Sequence, residues 1–78
     1  MNDEPLYMWT IYDRPPDYPG HFVARRFVIT PGEVAATEQA YFASTLEGVR
    51  FTLTRNFPGL TRLPRNHGDE AHIVETWL

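Results

Sequence analysis

Hydrophobic and polar residues alternate along the first half of the chain, as they do in β-strands. Leu6 to Tyr12 is rich in aromatic and β-branched residues and predicts a first strand. The next eight residues, "DRPPDYPG", predict a loop, because proline lacks the amide that a strand ladder requires. Phe22 to Thr30 predicts a second strand, whose Phe27 and Ile29 side is predicted to face the core.

A tight turn and a third strand are predicted next. Pro31 and Gly32 fit the two central positions of a type II turn, in which glycine supplies the positive φ. A hairpin should result, with the partner strand somewhere within Val34 to Phe42. The letters "EVAATEQA" in this region also include good helix formers, so a helix remains an alternative there.

The letters "STLE" at residues 44–47 match a capping box and predict the start of a helix. In this motif the Ser44 hydroxyl accepts from the amide of Glu47, and the Glu47 carboxylate reaches back to the amide of Ser44. Asn56 and the Pro-Gly pair after it predict the end. Apolar and polar residues also alternate in this segment, as they would in a strand, but the capping box favours a helix. The apolar face of that helix consists of Leu46, Val49 and Leu53.

The remaining segments complete a predicted α+β fold. "HIVETWL" at residues 72–78 predicts a last strand, after an irregular connection with a short extended piece at Leu60 to Leu63. The expected fold is a small two-layer sandwich, β-β-β-α-β, with a mostly antiparallel sheet and one helix packed on one face. Residues 1–5 are predicted to be disordered and residues 6–78 to form a single domain, because 78 residues allow one core.

Composition excludes several classes of chemistry. The chain has no cysteine, which excludes disulfides, thiolate zinc sites and cysteine nucleophiles. All seven basic residues are arginines, so lysine-dependent catalysis and a phosphate-loop lysine are excluded as well. The N-terminus is acidic where a signal peptide is basic, and no apolar run approaches the roughly 20 residues of a membrane span. We therefore expect a cytoplasmic protein without a membrane partner.

The chain resembles a group of short, uncharacterised bacterial proteins in three segments. These are "WTIYDRPPDYPGHFVARRF" near the start, "STLEGVR" in the middle, and "GLTRLPRN" with "IVETWL" at the end. The likeness covers most of the chain and implies no activity. Thr45, Leu46 and Glu47 also make it similar to the antitoxins of HicAB-type toxin-antitoxin pairs, in which a hairpin precedes a helix with a like opening. That similarity implies an antitoxin-like regulator.

The letters "DEAH" at residues 69–72 match a helicase box. In a helicase those acids act on a magnesium-bound nucleotide, at the end of a buried strand and opposite a phosphate loop with its lysine. Here "LPRNHG" precedes the letters and the chain has no lysine, which argues against a nucleotide hydrolase. A metal site is a weaker alternative, with His21, His67, Asp69 and His72 as the candidate ligands. Their spacing matches no ligand pattern of defined geometry. No catalytic residue, metal or cofactor is predicted.

Four arginines cluster in residues 48–68, where no acid occurs: Arg50, Arg55, Arg62 and Arg65. The segment is basic within a chain of net charge -3. Because arginine suits phosphate and base recognition, contact with an anion or a nucleic acid is the alternative function. Structural roles are favoured, since Glu47 can pair with Arg50 and Arg55 suits a helix C-terminus.

Aromatic side chains make up 14% of the residues, and some of them could form a surface for a partner. The residues predicted for such a surface are Trp9, Tyr12 and Trp77. If the first or the last strand lies at a sheet edge, its free amides could pair with another chain. The leading prediction is a non-enzymatic module that binds a protein partner or itself.

Overall fold

The computed structural model describes residues 5–65 and 70–78, and it contains one sheet and one helix in that part of the chain. The strands lie in the order β3-β2-β1-β5-β4, and each neighbouring pair is antiparallel. This architecture confirms the predicted α+β class. The elements are β1 (Leu6–Asp13), β2 (Phe22–Thr30), β3 (Glu33–Ala43), α1 (Leu46–Asn56), β4 (Arg62–Pro64) and β5 (Ile73–Trp77).

Turn residues determine how the first three strands connect. The chain leaves the sheet after Asp13 and returns at Phe22, as the proline-rich loop predicts. Gly32 has a φ of 81°, the value that the third residue of a type II turn requires, so the predicted hairpin is confirmed. The partner strand β3 includes the whole predicted segment and extends it by one residue at each end.

The cap of α1 differs from the prediction by one residue. Thr45, rather than Ser44, is the N-cap: its backbone is extended and its hydroxyl accepts from the amide of Gly48 at 3.0 Å. Both residues carry a hydroxyl, so the backbone conformation decides which one caps the helix. The helix ends at Asn56, as predicted, and the Phe57 amide donates to the Leu53 carbonyl at 2.9 Å.

Replacing Thr45 by alanine should lower the free energy of unfolding by about 1 kcal/mol, because an orphan amide of the first turn loses its acceptor. The matched control is Ser44→Ala, which removes the neighbouring hydroxyl and should change stability by less than about 0.5 kcal/mol. Urea unfolding followed by circular dichroism measures both. A larger loss of stability for the Ser44 variant than for the Thr45 variant would indicate that Ser44 is the N-cap, as the sequence motif predicts.

The core lies between the helix and one face of the sheet, which we call the covered face. Val49 and Leu53 of α1 are fully buried against Trp9 and Ile11 of β1 and Ala24 of β2. The predicted apolar helix face is therefore confirmed. Other side chains pack around this cluster: Phe22, Tyr41, Ala43, Leu46, Phe57, Leu60, Val74 and Trp77.

The predicted core face of β2 was wrong. The helix packs on the side of Ala24, and Phe27 and Ile29 lie half-buried on the opposite side, which we call the uncovered face. Successive side chains of a strand point to opposite faces, and β2 is apolar on both. Alternation alone therefore could not identify the helix side. Val23, fully buried on the uncovered face, shows that this side also excludes water locally.

The edges of the sheet are β3 and β4. The first strand, β1, is central, and the last strand, β5, lies between β1 and β4. The sequence suggested the first or the last strand as a free edge, but neither β1 nor β5 is an edge strand. β4 is only three residues long and ends in proline, whereas β3 has eleven residues and no proline, so β3 is the longer accessible edge.

Candidate interaction surface

Two rungs of apolar side chains lie side by side on the uncovered face. Residues that pair across β1, β2 and β3 share a face, and the strand registers define the members of each rung. Leu6 and Val34 at the outer ends are 67% and 57% exposed, so the surface is open to solvent. One rung consists of Leu6, Ile29 and Val34, and the other of Met8, Phe27 and Ala36.

The loop between β1 and β2 folds over the other end of the same face. Tyr18 packs against Phe42 with ring centroids 4.7 Å apart, and Asp17 forms an ion pair with Arg25. The Arg25 guanidinium also lies over the rings of Tyr12 and Tyr18, at 5.4 and 5.9 Å from their centroids. These contacts cover the region around Val23 and leave the two apolar rungs exposed.

A cavity of about 450 Å³ lies between this loop and β3. Its wall contains two acids, one base and two aromatic rings, and its remaining lining is small or hydroxylated. The lining residues are Asp17, Tyr18, Arg25, Ala36, Thr37, Glu38, Ala40 and Phe42. The volume is in the range of small-ligand and side-chain binding sites.

A bulge in β3 borders the cavity. Arg25 pairs with Ala40 and Phe27 with Ala36, so three residues of β3 lie opposite one residue of β2. The Thr37 hydroxyl donates to the Arg26 carbonyl at 2.8 Å and accepts from the Gln39 amide at 3.2 Å. These bonds hold the residues on each side of Glu38, which lies at the centre of the bulge and lines the cavity.

Arg50, predicted as an anion contact, instead forms an ion pair within the domain. Its Nε and Nη2 donate to the Glu75 carboxylate at 2.8 and 2.5 Å, joining α1 to β5. Glu75 is only 4% exposed and also accepts from the Trp77 indole at 2.7 Å. Burial raises the pKa of Glu75, but the bonds from Arg50 and Trp77 outweigh it, and the pKa lies below the usual value.

The other predicted arginines lie on different elements. Arg55 is exposed in the last turn of α1, about 140° around the helix from Arg50. Arg62 is in β4, near enough to Glu75 to help lower the pKa of that carboxyl, and Arg65 is exposed after the same strand. Because Arg50 is bound to Glu75, its guanidinium is less available for contact with a nucleic acid than the sequence suggested.

Arg26 lies on the covered face among aromatic rings. Its guanidinium carbon is 3.9 Å from the ring centroid of Tyr7 and 5.2 Å from that of Phe57, and Nη1 donates to Gln39 at 2.5 Å. Its Nε is buried without a hydrogen-bond partner among the described residues. This arrangement could not be predicted from local sequence patterns, because the partners of Arg26 come from three other segments.

The three aromatic residues predicted for a surface have different environments. Trp9 is 1% exposed, with its ring stacked on Tyr41, so its assignment to a surface is corrected to the core. Tyr12 is half-buried beneath Arg25, and burial raises its pKa. Trp77 is half-buried and bonded to Glu75. The exposed apolar residues of the uncovered face were missed, although the two-sided apolar pattern of β2 was the available signal.

The "DEAH" letters precede β5. Asp69 and His67 lie outside the described residues, and Glu70 to His72 form a turn in which the Ile73 amide donates to the Glu70 carbonyl. His72 Nδ1 is 3.2 Å from the Asp13 carbonyl oxygen, whereas the His21 ring contacts Phe42. Within residues 5–65 and 70–78, no three acidic or histidine side chains form a group that could hold a metal ion.

Comparison with known proteins adds no family. No family model matches the sequence, and neither the curated proteins nor the solved structures include a significant match. In the described part of the chain, no helix has the length and apolar composition needed to cross a membrane. The function of the chain must therefore be inferred from its surfaces.

Proposed function

We propose that this chain is a non-enzymatic self-association module, in which the uncovered faces of two copies pack against each other. The observation that supports this most is the pair of apolar rungs, whose outer members Leu6 and Val34 are largely exposed. A sheet that is apolar on both faces is typical of one that is buried on both faces. In a single chain the helix covers only one of them.

The charges of this face favour a second copy as the occupant. The six rung residues are uncharged, so two identical surfaces can meet without placing like charges opposite each other. Two charged side chains border the rungs: Arg25, which is neutralised by Asp17, and Glu38, which lies two residues beyond Ala36. Sheets pack face to face at a spacing of about 10 Å, which side chains of this size fill.

The size of the two rungs allows only a weak interface. They lie on three strands about 4.8 Å apart and extend over about four residues of about 3.3 Å along each strand, which gives about 200 Å² per copy. Two copies would then bury about 400 Å² of sheet area, less than the roughly 1,000 Å² of a stable specific association. We therefore expect a weak, reversible dimer, whose strength depends on a few apolar contacts.

Leu6→Lys should weaken this dimer at least tenfold, about 1.4 kcal/mol, because a charge would replace an apolar contact at the interface. Phe51→Lys is the matched control: Phe51 is 63% exposed, similar to Leu6, but lies on the outer side of α1. Sedimentation equilibrium measures the dissociation constants of both variants and of the wild type. A wild type that stays monomeric at high concentration, or equal effects of both substitutions, would overturn the proposal.

A further inference from the structure

We propose that the cavity beside the β3 bulge binds a guanidinium group, presented by an arginine side chain of another polypeptide. This site adjoins the self-association surface, with which it shares Ala36. The lining contains two carboxylates, Asp17 and Glu38, and a single guanidinium, Arg25, which leaves one net negative charge. Two aromatic rings complete the set of groups that recognise a flat organic cation.

Glu38 provides the charge that an external cation would meet. Among the described residues, its carboxylate has neither a hydrogen bond nor an ion pair, in contrast to Asp17, which is paired with Arg25. The bulge fixes the backbone on both sides of Glu38 through the hydroxyl of Thr37. Bulges commonly re-aim a side chain in this way, and here a carboxylate is presented at a cavity.

Arg25 shows that this environment already accepts a guanidinium. It lies between the carboxylate of Asp17 and the rings of Tyr12 and Tyr18. An entering arginine would meet the carboxylate of Glu38 in the same cavity, whose lining also includes the aromatic rings of Tyr18 and Phe42. A planar guanidinium suits both contacts, because it stacks on a ring and forms forked hydrogen bonds to a carboxylate.

The test is an NMR titration of the full chain with N-acetyl-arginine N-methylamide. The amide signals of residues 37–40, Asp17 and Tyr18 should shift. Glu38→Gln should weaken binding about tenfold, because a charge-assisted hydrogen bond becomes a neutral one. Glu33→Gln, which neutralises an exposed acid of the same strand outside the cavity, should leave the affinity unchanged.

The neutral isostere N-acetyl-citrulline N-methylamide separates charge recognition from shape and should produce no shifts at equal concentration. Leu6→Lys leaves the cavity intact and should bind the arginine probe like the wild type, so failure of self-association and failure of this proposal are distinguishable. The proposal is overturned if the arginine probe shifts no cavity signals, if citrulline binds equally well, or if Glu38→Gln has the affinity of the wild type.

Discussion

Replacing Arg50 by methionine should lower the free energy of unfolding by about 3 kcal/mol at neutral pH, because Glu75 would remain buried and charged without its partner. The substitution keeps the apolar stem and the helix propensity, so the effect reports on the guanidinium. The Trp77 indole would remain as a donor to Glu75, but one neutral hydrogen bond cannot replace a bidentate ion pair. Urea unfolding followed by circular dichroism measures the difference.

The effect of this substitution should depend on pH. In the wild type the pKa of Glu75 is lowered, so the stability it contributes is present above the unfolded-state pKa of about 4.3 and is lost as pH falls through the folded-state value. Without Arg50, burial should raise the pKa of Glu75. The variant can then relieve the unpaired charge by protonation, and the difference in stability from the wild type should narrow in acid.

Arg55→Met is the matched control, because Arg55 is exposed on the same helix and, of these two arginines, it is Arg50 that bonds to Glu75. It should change stability by less than about 0.5 kcal/mol at any pH. An Arg50 variant as stable as this control would contradict the predicted contribution of the buried ion pair to stability. So would a variant whose loss of stability relative to the wild type is the same at neutral and acidic pH.

Signals within a few residues predicted the elements well. The hairpin at Pro31-Gly32 and the helix face of Val49 and Leu53 are confirmed, because turn geometry and helical spacing are local properties. Even the error at the cap is local, since Ser44 and Thr45 offer the same hydroxyl and differ only in backbone conformation. The order of the sheet required contacts between distant segments and was not predicted.

The surfaces were harder to predict for the same reason. The partner of Arg50 is 25 residues away, whereas the sequence suggested Glu47 in the preceding turn. The uncovered face combines residues of β1, β2 and β3, and the cavity combines a loop with a bulge that no local pattern specifies. The apolar character of both sides of β2 was visible, but it could not show which side the single helix would cover.

The largest loss of stability from a core substitution is expected at Trp9. Its ring is buried, stacked on Tyr41 at a centroid distance of 5.1 Å and tilted against Phe57 at 5.3 Å. Trp9→Ala should cost about 4 kcal/mol, since a large cavity remains and two aromatic contacts are lost. A chain of 78 residues has a total stability of about 4–12 kcal/mol, so this substitution should remove between about a third and all of it.

Trp9→Phe keeps a ring in the same position and provides a measurable folded variant. It should cost about 1.5 kcal/mol, because the smaller ring leaves only part of the cavity. Phe51→Ala is the control: it removes an equally apolar but exposed side chain and should change stability by less than about 0.5 kcal/mol. Urea unfolding should be followed by far-ultraviolet circular dichroism, since the substitution removes a fluorophore. A Trp9→Phe variant no less stable than Phe51→Ala would contradict the placement of Trp9 at the centre of the core.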